Sequence, residues 1–180
     1  MVGTRSTLKE QKQDGSKDVS SLLWDPDFSL WSMLHQTRQL MFLVREEELG
    51  QHDLSTIESS VLFVIQAIEQ TGETQATLGE IARWLFRRPH TISQLVDRME
   101  RKGLVTKVNL ADTRNSKKIV LTERGREAYK KSVERRSVHR IMSALSDDDR
   151  KALRSCLAKL YKKSVKELGI KLHFPDSLRR

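Results

Sequence analysis

The chain has 180 residues, enough for one domain with appendages and a buried core. Lys and Arg number 33 against 24 Asp and Glu, giving a formal charge of +9 and a pI near 9.8, which favours a polyanionic partner. A single cysteine, Cys156, excludes an intrachain disulfide framework and a thiolate zinc cluster and fits a reducing cytoplasm.

Residues 1–27 are polar and of mixed charge, and predict a disordered or extended N-terminal arm. They include an apolar cluster, Leu22, Leu23 and Trp24 with Phe28 just beyond, around Asp25-Pro26-Asp27, suited to docking on a partner subunit. A helix is predicted over 30–48, with Leu30, Leu34, Thr37, Met41 and Val44 on one stripe and Gly50 as its stop. Ser55 stands three residues before Glu58, as in a capping box, and opens a helix to about Gln70 with Ile57, Val61, Val64, Ile65 and Ile68 inward. Thr77 is an N-cap for the next helix, which turns Leu78, Ile81, Ala82 and Leu85 inward.

Phe86-Arg87-Arg88-Pro89 reads as a turn, with Pro89 at the first position of the following helix. In that helix Ile92, Leu95, Val96 and Met99 form one face. His90, Ser93, Gln94, Asp97 and Arg101 form the other, with Thr91 and Arg98 at its flank. The strings LVTKVNL and KKIVLT then predict a β-hairpin with residues 112–116 at its tip. Thr122 caps a helix predicted to run unbroken to about Leu145 with Lys130, Lys131, Arg135 and Arg136 on its outer face. Ser146 and the three aspartates after it start the last long helix, which carries Leu153, Cys156, Leu157, Leu160, Val165 and Leu168 and stops at Gly169. Residues 170–180 are a short tail.

Helix, turn, helix and hairpin make a winged helix-turn-helix over about 54–122, within a mainly α fold with a small β-hairpin wing. Long helices flank it, about 28–49 on one side and 123–169 on the other. The charge follows this unit: from Arg83 to Arg140 there are 17 Lys/Arg against 6 Asp/Glu. That is the footprint of a protein that grips duplex DNA. His90, Thr91, Ser93 and Gln94 lie in the first two turns of the second helix, where side chains reach base edges. Arg87, Arg88 and Pro89 lie at its entrance, and Arg98 and Arg101 suit backbone phosphates. Asp97 is expected to hold Arg101 one turn on, or to orient another arginine. In the wing Arg114 suits a narrow minor groove, with Lys117 and Lys118 on flanking phosphates.

At this point the residues resemble a known family. RPHTISQLVDRMERKGLV, then Asp112-x-Arg114, then Leu121-Thr122-x-x-Gly125 are similar to the MarR (multiple antibiotic resistance regulator) family over about Phe28 to Gly169. The register of the wing between Asp112 and Thr122 stays open by one residue. The resemblance implies a homodimeric transcriptional regulator, most simply a repressor, with interlocked terminal helices and a pseudo-palindromic operator. It also implies a pocket for a small aromatic or phenolic effector, for which Trp31, His35, Arg38, Phe42 and Trp84 are candidate lining residues. Cys156, on the apolar stripe of the last helix, is expected to be a buried small hydrophobe rather than a redox switch. The five histidines lack metal-ligand spacing, so no metal or other cofactor is expected. No nucleophile–base pair, glycine-rich phosphate loop or paired-acid motif speaks for an enzyme. No apolar run nears the ~18 residues of a membrane span and the N-terminus lacks a signal-peptide core, so a cytoplasmic protein is expected. The alternative is a winged-helix module for architectural or protein-interaction work without an effector.

Overall fold

The structure, a computed structural model, describes residues 25–72, 74–110 and 117–170. These fall into two compact units that divide between Gln39 and Leu40. The first contains the N-terminal part of helix α1 (Pro26–Gly50), whose side chains are exposed except for half-buried Ser32. This helix begins four residues before the predicted start. The reason is local: Asp25 Oδ1 accepts from the Asp27 amide at 2.9 Å, so Asp25 caps and Pro26 takes the first helical position. The rest of the predicted arm lies outside the described residues.

The second unit continues α1 and adds α2 (Thr56–Thr71), α3 (Leu78–Trp84), α4 (Pro89–Arg101), β1 (Val105–Asn109), β2 (Lys117–Leu121), α5 (Glu123–Ser132), α6 (Arg136–Met142) and α7 (Asp147–Leu168). The Ser55–Glu58 capping box forms as expected, and Glu46 of α1 also accepts from the Thr56 amide at 2.9 Å. The core collects Val61, Leu62, Ile65 and Ile68 of α2, Ile81 of α3, and Ile92, Val96 and Met99 of α4. Val105, Ile119 and Leu121 close it from the hairpin. Burying each such side chain contributes about 2 kcal/mol, so this shared core rather than helix propensity fixes α3 and α4 against α2.

The hairpin is antiparallel, with Val105 opposite Leu121 and Asn109 opposite Lys117. Ile119 N–H donates to Ala76 O at 2.8 Å, which pins the outer strand to the segment before α3. Gly103, at φ +69°, turns the chain out of α4 in the left-handed region that glycine occupies without penalty.

One predicted helix is two. The run from Thr122 does not reach Leu145 unbroken; it stops at Ser132, and Arg135 adopts φ +52° before α6 begins. Neither glycine nor proline marks the break. Two residues of α1 hold it: Arg45 donates to the Ser132 carbonyl at the end of α5. Glu48 accepts from the Arg136 amide at 2.8 Å, the Ser137 amide at 3.2 Å and the Ser137 hydroxyl at the start of α6.

α7 has its expected capping box at Ser146 and Asp149 and ends at Gly169. It buries none of its residues. Cys156 is therefore exposed, not buried as expected, because no other segment of the described chain covers that stripe. No helix among the described residues is long and apolar enough to cross a membrane.

Candidate nucleic-acid interface

The site is built on α4. Its Ile92, Leu95, Val96 and Met99 are buried in the core, which turns the opposite face outward. His90, Gln94, Asp97 and Arg101 recur at spacings of four, three and four, so they share one exposed stripe, flanked by exposed Thr91 and Arg98. Arg87, Arg88 and Pro89 are exposed at its entrance, while Ser93 is half-buried and less available than its neighbours. In the wing Lys117 is exposed and Lys118 half-buried, the latter bridged to Thr77. Arg114 lies outside the described residues.

The start of α4 differs from its neighbours. Side chains of Ser55, Thr77 and Thr122 cap α2, α3 and α5, whereas Arg88 makes no capping hydrogen bond to α4. The first amides of α4 thus remain free of a side-chain cap, at an end where the helix dipole favours an anion.

Asp97 does not hold Arg101 by its carboxylate. The Arg101 Nε instead donates to the Asp97 backbone carbonyl at 3.4 Å, and the Asp97 carboxylate pairs with Lys107 of β1. Sequence spacing favoured the partner one turn on; the hairpin brings a less exposed cation to the same place.

Phe86 in the turn has φ +52° with its ring half exposed. A bulky L-residue there costs roughly 1–2 kcal/mol. The expected result is that Phe86→Val melts below Phe86→Gly by several degrees; both lack the ring, so the difference isolates backbone strain. Equal melting temperatures would remove the strain argument.

The five residues suggested for an effector are divided between the two units. Trp31, His35 and Arg38 belong to the first unit and are exposed. In the second unit Phe42 is exposed, and Trp84 is buried with its indole N–H donated to Glu80 at 2.9 Å. Trp84 does line a cleft of about 270 Å³, together with Arg45, Ser60, Phe63, Leu85 and Ser132. Sequence reasoning missed Arg45 and Phe63, whose convergence from α1 and α2 no local pattern records. Among the described residues no group of three or more His, Cys, Asp or Glu is placed to hold a metal ion.

The MarR family model matches residues 52–114. A mutant MarR from E. coli complexed with operator DNA is 19% identical, with a TM-score of 0.66, over 73% of this chain and 93% of that one. The MepR–DNA complex of S. aureus is 24% identical, with a TM-score of 0.65, over 73% and 95%. An organohalide-sensing RdhR transcriptional regulator with 2,4-dichlorophenol bound is 23% identical, with a TM-score of 0.72, over 87% and 90%. No curated protein matches the sequence. Likeness at these identities establishes the fold, and the matched segment is the one that carries α3, α4 and β1. Over residues 52–114, a little over a third of its length, the chain is similar to the MarR family, and its fold is that of these winged helix-turn-helix proteins.

Proposed function

We propose that the chain is a sequence-specific regulator of transcription that binds double-stranded DNA as a homodimer, represses a nearby operon and is released by a small-molecule ligand. The observation that carries the reading is the outward face of α4: basic and hydrogen-bonding residues on a helix whose other face is fully buried, beside a basic hairpin. The operator complexes of the two related folds support it. Exposed apolar stripes support dimerisation: Leu40 and Leu43 on α1, and Leu153, Leu157 and Leu160 on α7.

His90, Thr91 and Gln94 would read base edges; Arg87, Arg88, Arg98 and Arg101 would hold phosphates, with Lys117 and Lys118 beside them. An aromatic or phenolic effector has a place in the cleft beside Trp84, where Arg45 supplies a cation and Phe63 an apolar wall. A ligand that prefers a different separation of the two reading helices lowers operator affinity by its differential affinity for the two states.

Selection from a random duplex pool, followed by anisotropy titration, tests the reading. A pseudo-palindromic site is expected, with half-sites about one helical turn apart. Arg88→Ala should weaken all sequences alike and reduce the salt slope by about one, whereas Gln94→Ala should relax preference at one base pair. Binding without preference over random duplex at physiological salt would overturn it in favour of the architectural module.

A further inference from the structure

Lys107 occupies the middle of β1, and its side chain leaves the sheet for the recognition helix. Its Nζ donates to the Asp97 carboxylate and to Glu100 Oε2 at 2.9 Å. Its backbone N–H donates to Glu100 Oε1 at 3.1 Å, on the side of β1 that β2 does not pair. Asp97 and Glu100 are the two acidic residues of α4, so one lysine engages both. The Lys107 side chain is only 20% exposed, against 52% for Asp97 and 37% for Glu100. The ammonium thus sits beneath the carboxylates, partly shielded from screening by salt.

Electrostatics agree with the geometry. The hydrogen bond to Asp97, then that to Glu100, push the Lys107 ammonium above its ordinary value. The hydrogen bond from Lys107 holds Glu100 below the usual carboxylate range. Lys107 and Glu100 thus each hold the other in its charged form.

A carboxylate on a helix that enters a groove lies close to phosphates, and like charges there lower affinity. Asp97 shares its stripe with His90, Gln94 and Arg101, so it lies on the face assigned to base reading. We propose that Lys107 is a positioning residue for DNA reading, which locks the recognition helix to the first wing strand and offsets part of the charge of the helix's two carboxylates. This rests on the DNA-binding reading above. It makes the wing lysine necessary without contact to DNA, and it joins α4 and the hairpin into one rigid reading head.

A double-mutant cycle on a mixed-sequence duplex tests it, with affinity read by fluorescence anisotropy and folding by thermal melting. Lys107→Met should bind about tenfold more weakly than the wild type, and Lys107→Arg within about threefold of it. Asp97→Asn with Glu100→Gln should bind at least as tightly as the wild type. Adding Lys107→Met to that neutral background should change affinity by less than about threefold, because no uncompensated carboxylate remains. If Lys107→Met costs the same tenfold in the neutral background, the lysine acts on DNA directly and the proposal falls. It also falls if Lys107→Met binds like the wild type. Should Lys107→Met alone fail to fold, the comparison within the neutral background still decides. Wild-type protein that binds no duplex would overturn the DNA-binding reading itself, an outcome distinct from either failure of the lysine.

Discussion

Gly125→Ala is expected to lower the melting temperature by roughly 10 °C, with a loss of about 3 kcal/mol or more. A β-carbon at this position would lie 1.9 Å from the Leu104 carbonyl oxygen and 3.0 Å from its carbon. Those are backbone atoms, so no rotamer change relieves the clash. The approach is close because the segment after α4 and the start of α5 are laced together. Thr122 N–H donates to Leu104 O at 3.2 Å, and the Thr122 hydroxyl donates to Gly103 O at 2.6 Å. The same hydroxyl oxygen accepts from the Gly125 amide at 3.0 Å. Relief of the clash would move α5 off the first wing strand and pull at buried Leu104, Val105 and Leu121. Gly50→Ala is the control, since nothing lies within 4 Å of its added carbon. It should be neutral or slightly stabilising. Thermal melts of the two variants beside the wild type decide the matter, and equal melting of Gly125→Ala and wild type would show that the two segments are not tightly joined.

What was legible in the sequence was what is encoded within a turn of itself. The Ser55–Glu58 box, the Thr77 and Thr122 caps and Pro89 at the head of α4 act through partners at most three residues away, so the pattern and the contact coincide. The buried face of α4 was legible for the same reason, since its period is that of the helix. What escaped depends on residues far apart in the chain. Asp97 has an arginine at the favourable helical spacing, yet the hairpin delivers Lys107 to its carboxylate. Phe86 takes a left-handed conformation that its side chain gives no reason to expect. The break after α5 has no punctuating residue at all; its determinants, Arg45 and Glu48, lie nearly ninety residues earlier. For the interface itself, the outward residues of α4 followed from the inward ones, whereas the cleft beside Trp84 draws on α1, α2, α3 and α5 and had no local signature.

Glu48 carries the second large effect, and it depends on pH. Burial, the largest single influence, pushes its carboxyl upward. The Ser137 hydroxyl, the Arg45 guanidinium at 2.5 Å and the amides of Ser137 and Arg136 together override burial and hold it at about 2, against an ordinary 4.5. A carboxyl depressed on folding contributes stability that is fully present above its unfolded value and is lost as pH falls through the folded one. The window here runs from about pH 4.5 down to about 2, and a shift of that size corresponds to roughly 3 kcal/mol. The side chain is only 16% exposed, so little of this is lost to solvent screening. The charge also suits its place, because Glu48 faces the N-terminal amides of α6 while Arg45 faces the C-terminal carbonyl of α5. At pH 7 Glu48→Gln should therefore melt about 5–10 °C below the wild type, since the amide keeps an acceptor but not the charge. The gap should hold down to about pH 5 and shrink from about pH 4.5 toward 3, where the unfolded chain takes up a proton that the folded carboxylate still refuses. Urea titrations of both proteins at pH 7, 5, 4 and 3 read this directly. A gap that stays constant across that range would mean that Glu48 serves the α5–α6 break by shape alone, and the electrostatic account would fail.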